Sequence, residues 1–219
     1  MKKLLFYSLI FISSISLSAC LNVRRDIKFD AKGKGNEKMT VELGKEFMQM
    51  VNELSQLDES AKTDPYDDKK FISDITSALS GTPGIKINDI TSVMGADSSN
   101  TLKIDYNFEK VTLIADAMKE NKGSSDTIIS YYTKGDFVYF SYLINMNSDQ
   151  PEDSASSSMI ESYDELFAND KLIMNIDFPL DIVYSNGTSV NGKKVTWEIP
   201  MKEVMKKEPV KITAVMKKK

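Results

Sequence analysis

The sequence predicts an α+β domain on a mainly antiparallel, hairpin-rich sheet, with a helical pair inserted after the first hairpin and shorter helices later. Three observations carry this. Several stretches alternate apolar and polar residues over strand-length runs, as in Leu102-Lys103-Ile104-Asp105-Tyr106-Asn107-Phe108. Glycine-bearing turns join neighbouring runs, at Lys134-Gly135-Asp136, Asn186-Gly187 and Asn191-Gly192. Helix-period segments come as a block between strands and not in strict alternation with them, which favours α+β over a parallel doubly wound sheet.

Taken in order, "NVRRDIKFDAKGKGNEKMTVEL" reads as a hairpin. Val23, Ile27 and Phe29 share one face, Met39, Val41 and Leu43 share a face of the return strand, and Gly33 and Gly35 occupy the turn region. "GKEFMQMVNELSQLDES" is helical, with Leu43, Phe47, Met50, Val51, Leu54 and Leu57 in one stripe. Methionines in such a stripe are read as core packing. After "KTDPYDD" a second helix puts Phe71, Ile72, Ile75, Ala78 and Leu79 on one side and stops at Gly81, with Pro83 just beyond. Strands over Ile85–Val93 and Leu102–Phe108 precede a short helix at Val111–Lys119.

A second hairpin turns at Lys134-Gly135-Asp136. Its return strand is apolar on both faces, with Phe137, Tyr139 and Leu143 on one and Val138, Phe140, Tyr142 and Ile144 on the other. That pattern predicts a central strand covered on both sides. Residues 148–158 form a polar, low-complexity loop whose acids lack the spacing of a calcium loop. A short helix is expected at Met159–Phe167, then strands at Leu172–Phe178, Asp181–Tyr184, Val195–Ile199 and Val210–Met216. Trp197 is expected in the sheet core.

The N-terminus has a different character. Lys2 and Lys3 precede an apolar run from Leu4 to Leu17 interrupted by serines, and small residues follow. This is the layout of a signal peptide, and the run is short for a permanent span, which needs roughly 20 apolar residues. Cys20 is the single cysteine of 219 residues. With no partner it cannot form an intramolecular disulfide.

The residues Leu17-Ser18-Ala19-Cys20 resemble the lipobox of bacterial lipoproteins at all four positions. The resemblance implies cleavage before Cys20, a diacylglycerol on its sulfur, and a mature domain over 20–219 after a 1–19 leader. Two or three acyl chains anchor firmly, because each buried CH₂ contributes about 0.8 kcal/mol. Such a chain belongs to the cell envelope, held to the outer face of the cytoplasmic membrane or to the outer membrane. The tail Lys217-Lys218-Lys219 is a candidate contact for anionic headgroups, at about 1 kcal/mol per lysine near a charged surface.

Composition narrows function by exclusion. The chain has 28 basic and 32 acidic residues, net −4, and loss of the leader removes two lysines and no acid. An acidic balance argues against nucleic acid. There is no histidine, so histidine-dependent triads and His-ligated metals are not expected. Neither common Gly-rich phosphate loop occurs. The acids Glu59, Asp64, Asp67 and Asp68 cluster beside Lys69 and Lys70 in a polar connector, which reads as solvated charge. No enzyme activity and no cofactor are expected.

The stretch "DFPLDIVYSNGTSVNGKKVTWEIP" carries Phe178-Pro179, Ser185-Asn186-Gly187, Asn191-Gly192 and Val195-Thr196-Trp197. It resembles the C-terminal signature of LppM-type lipoproteins, a family largely of unknown function, and "IKFDAKGKGNEKMTVEL" is similar to that family's first hairpin. The resemblance implies an envelope-facing domain for a lipid or glycolipid, with no catalytic residues. The alternative is a structural lipoprotein that contacts another envelope protein.

Overall fold

The computed structural model describes residues 21–49, 68–119, 127–145, 167–204, 206 and 208–218. The leader, Cys20, the 148–158 loop and most of the helix expected near 43–57 lie outside them, as do Glu59, Asp64, Asp67 and Lys219. Of the expected 159–167 helix only Phe167 is described, and it is buried.

The fold is α+β and mainly antiparallel. The chain forms β1 Leu21–Phe29 and β2 Gly35–Leu43, a helical turn at 45–49, and helix α1 Asp68–Gly81. β3 Ile85–Met94, β4 Asn100–Phe108 and helix α2 Leu113–Lys119 follow. Next come β5 Ile128–Lys134, β6 Phe137–Ile144, β7 Lys171–Asp177, β8 Ile182–Ser185, β9 Ser189–Asn191 and β10 Lys194–Pro200. A short helix α3, Met201–Val204, leads to β11, Val210–Lys217. Every strand among the described residues lies between Leu21 and Lys217, so a chain beginning at Leu21 contains both described sheets.

The strands divide into two sheets. The larger has the order β3-β4-β2-β1-β7-β10-β9, the smaller β5-β6-β11-β8. All pairings are antiparallel except β1 with β7. The inner faces meet in one apolar cluster. Ile27, Phe29, Met174, Ile176, Val195 and Trp197 come from the larger sheet, and Val138, Phe140, Tyr142, Ile212, Ala214 and Met216 from the smaller. Phe29 bridges them, its ring 5.9 Å from Phe140 and 5.5 Å from Phe178. Burial of each such side chain contributes roughly 1.5–3 kcal/mol. Helices α1 and α2 close over the part of the larger sheet that the smaller does not reach, with Leu79, Ile114 and Ala117 near Ile104 and Tyr106.

Local chemistry fixes the first hairpin. Asp30 Oδ1 accepts from Lys32 N at 2.8 Å and Lys34 N at 3.1 Å, and Gly33 takes φ 84°. Only glycine adopts that conformation without strain.

Three sequence expectations change. Strand β6 is central in its sheet but covered on one face: Val138, Phe140, Tyr142 and Ile144 are buried, whereas Phe137 is exposed and Tyr139 and Leu143 half-exposed. The second face looks outward, and Tyr139 stacks there on Tyr132 at 5.3 Å and 13°. Asn186-Gly187 is no hairpin turn. It carries the chain from β8 in the smaller sheet to β9 in the larger, whereas Gly192, at φ 61°, does turn the β9–β10 hairpin. Arg25, absent from the expected inward face of β1, lies on it and is buried.

Candidate functional site: an apolar cavity beside a buried ion pair

Arg25 and Glu37 stand on adjacent strands at inward positions, with Arg25 opposite Met39 and Glu37 opposite Ile27. That two-residue diagonal is within reach of long side chains. Arg25 is 4% exposed and Glu37 0%. The contact is bidentate: Arg25 Nε donates to Glu37 Oε1, and Nη2 to Oε2 at 3.0 Å. Tyr106 of β4 donates its hydroxyl to Glu37 Oε2. Arg25 Nη1 donates to the Tyr142 hydroxyl on β6, across the sandwich. Tyr142 O–H in turn points to Met118 Sδ at 3.7 Å, and the guanidinium carbon lies 5.3 Å from the Tyr142 ring centre. The network therefore ties three strands of one sheet to the other sheet. It also pins register, since a one-residue slip would turn both charges to the outer face.

The electrostatics are those of a closed pair. Burial works against the Arg25 charge, but Glu37 and its hydrogen bonds outweigh it and hold the guanidinium well above its ordinary range. Burial, reinforced by the Glu37 charge, pushes the Tyr106 phenol well up. Burial raises Tyr142 too, with Arg25 opposing. Both phenols stay neutral donors. The sign follows: a group whose folded pKa is raised stabilises the fold below its unfolded value, and that stability is lost as pH climbs past it. Stability should therefore fall above the ordinary phenol value of 10.0. Urea midpoints of the natural chain and Tyr106→Phe, compared from pH 8 to 11, check this; the variant should show the shallower fall.

Beside the pair lies a cavity of about 250 Å³. Leu21, Val23, Val41, Ile144, Leu172 and Met201 form apolar wall, and Arg25, Thr127 and Tyr142 contribute the polar part. These residues come from the first half of β1, the end of β2, the end of β6, the start of β7 and helix α3, so the cavity sits at the end of the sandwich where β1 begins. Asp170 fastens that end: its Oδ2 accepts from Leu21 N at 2.8 Å, and its carbonyl from Met201 N at 2.8 Å. Three of the five N–H groups of Arg25 donate within the network. Its charge is neutralised by Glu37, so the cavity presents no net charge. It suits a hydrocarbon chain whose polar head stays at the mouth.

A wider groove of about 990 Å³ lies at the other end of the larger sheet. Lys28, Lys34, Lys86 and Lys193 line it with Asp30, Glu109 and Asp177. Mixed signs and the Lys28–Asp177 pair at 3.4 Å make it a solvated trough.

Leu21, the residue after Cys20, opens β1 and lines the cavity. Lys217 closes β11 and Lys218 follows, its N donating to Asp136 O at 2.9 Å. They stand at the end where β1 finishes, a strand length of ~25 Å from Leu21. Trp197 is 3% exposed and donates Nε1 to Asn186 Oδ1 at 3.0 Å, a core position. Asn186 also accepts from Thr213 N at 2.8 Å and donates to Lys211 O at 2.7 Å, pinning the crossover between sheets. Sequence reasoning passed over Arg25 and Glu37, though both share the parity of their apolar neighbours. Asp170 left no local signal, because its partner Leu21 is 149 residues away.

No family model matches the sequence, and no curated protein does. Among solved structures, the folded domain of LppM from Mycobacterium tuberculosis is similar, with a TM-score of 0.47, 9% identity and 91% of each chain covered. Among the described residues no helix is long and apolar enough to cross a membrane.

Proposed function

We propose that this chain is a lipoprotein of the bacterial cell envelope, anchored at Cys20, whose non-catalytic domain takes one hydrocarbon chain of a lipid or glycolipid between its sheets. The observation that carries the reading is the position and lining of the cavity. It lies where β1 begins, one residue after Cys20, and its wall is apolar apart from Thr127, Tyr142 and Arg25, whose charge Glu37 neutralises from behind. Its volume, about 250 Å³, falls just below the usual range of about 300–1,000 Å³ for small-molecule sites. A single acyl segment fits that volume better than a whole two-chain lipid. The start of β1 at Leu21 leaves almost no spacer, so an anchor at Cys20 would hold the cavity close to the headgroups.

Two measurements test this. Radiolabelled palmitate should enter the natural chain in its own cells and not Cys20→Ser; equal labelling, or none, removes the anchor. Native mass spectrometry of the extracted protein should show a lipid adduct, absent from a cavity-filling Val41→Phe variant of unchanged circular dichroism. A clean apo mass for the natural chain would favour an envelope-protein partner instead.

A further inference from the structure

The two outer faces of the sandwich differ in chemistry. On the larger sheet charges of both signs meet in pairs: Arg24–Asp26 at 2.9 Å, Lys38–Asp105 at 3.5 Å and Lys171–Glu198 at 3.2 Å. On the smaller sheet the register aligns Tyr132, Tyr139, Val215 and Tyr184 in one row across all four strands. Tyr132 is 52% and Tyr184 59% exposed. The adjacent row is Lys134, Phe137 and Lys217, and Lys211 stands near the opposite end, beside Leu143. The outward positions of β5, β6, β11 and β8 hold no Asp or Glu, in a chain whose acids outnumber its bases. Asp136, Asp181 and Glu208 sit in the flanking connections.

We propose that this face docks on an anionic lipid surface. Tyrosine suits a membrane–water interface, where its ring lies among apolar groups and its hydroxyl stays wet. Lysines of one sign flanking it complement anionic headgroups. The outer face of the larger sheet offers neither, since its outward positions hold no aromatic residue and acids stand among its lysines. Docked in this way, the strands run along the membrane. The Lys217 end then lies at the surface and the Leu21 end about one sheet spacing, ~10 Å, above it, whereas an upright sandwich would lift one of them ~25 Å away. A sulfur-linked lipid at Cys20 would add a second attachment, but the proposal does not depend on it.

The test uses residues 21–219, which lack Cys20 and contain every described strand. They should co-sediment with vesicles of phosphatidylglycerol and phosphatidylcholine, and far less with phosphatidylcholine alone. Binding should weaken as salt is raised. Lys134→Gln with Lys217→Gln should lower affinity about thirtyfold. Tyr132→Ser with Tyr184→Ser should lower it at least about tenfold, since two half-buried rings leave the interface. Lys38→Gln with Lys171→Gln, the same charge change on the other face, should stay within about twofold. Equal binding to both vesicle types, no binding by the folded protein, or equal loss in the two lysine pairs would each overturn the proposal. So would sedimentation velocity showing a dimer that Tyr132→Ser with Tyr184→Ser dissolves, which would give the face to a second copy of the chain. The outcome is independent of palmitate labelling and of any cavity adduct.

Discussion

Glu37→Gln should lower the unfolding free energy by about 3–5 kcal/mol, a large share of the roughly 5–15 kcal/mol of a typical domain. The substitution keeps the shape and removes the charge. Arg25 then stays ionised, because its protonated form has no competitor at accessible pH, and it stays buried at 4% exposure without its counter-charge. Arg25→Met placed on Glu37→Gln should recover part of the loss, because it removes the unpaired buried charge and leaves only a neutral amide beside Tyr106. Tyr106 keeps an acceptor in the Gln carbonyl. Urea unfolding of the single and double variants gives the coupling directly. A single variant within about 1 kcal/mol of the natural chain would show that the pair is not holding β1, β2, β4 and β6 together. Salt should leave the effect almost unchanged, since buried pairs are poorly screened.

Gly35→Ala should cost about 3 kcal/mol, near the top of the range for overpacking. Gly35 faces Phe29 as the first residue of β2. A Cβ there would lie 1.9 Å from the Lys28 carbonyl oxygen and 2.7 Å from Phe29 Cα. Both are backbone atoms of the paired strand, so no side-chain rotation relieves the contact. The hairpin must open at the point where Phe29 enters the aromatic cluster with Phe140 and Phe178. Gly135→Ala is the control, because a Cβ there meets nothing within 4 Å. Gly135 has φ 60°, so its cost should be limited to about 1–2 kcal/mol of left-handed strain. Near-UV circular dichroism should change for Gly35→Ala and hold for Gly135→Ala.

The candidate site was half legible. The parity of β1 carries Arg25 inward with Ile27 and Phe29, and that of β2 carries Glu37 inward with Met39 and Val41. Two opposite charges at inward positions of one hairpin are a readable sign of a buried pair. What the hairpin cannot contain is the identity of the third and fourth members. Tyr142 is 117 residues from Arg25 and Tyr106 is 69 from Glu37. The same holds for Asn186. An Asn-Gly dipeptide is a turn signal by its local φ preferences, and here the side chain serves Trp197, Thr213 and Lys211 instead. Local chemistry supplied the donors and acceptors; the partners came from elsewhere in the chain.

By itself the sequence determined the course of most described strands and of α1 and α2, the α+β class, and the single cysteine beside small residues, because alternation, period and turn chemistry are properties of short windows. Only the tertiary structure decided that the strands split into two sheets, that β1 pairs in parallel with β7, and that one face of β6 looks outward. It alone set a cavity beside a neutral pair at the first strand's start, and a row of tyrosines with lysines on one face. Each of these depends on which distant strand lies next to which, and that is settled by the burial of all the apolar faces together.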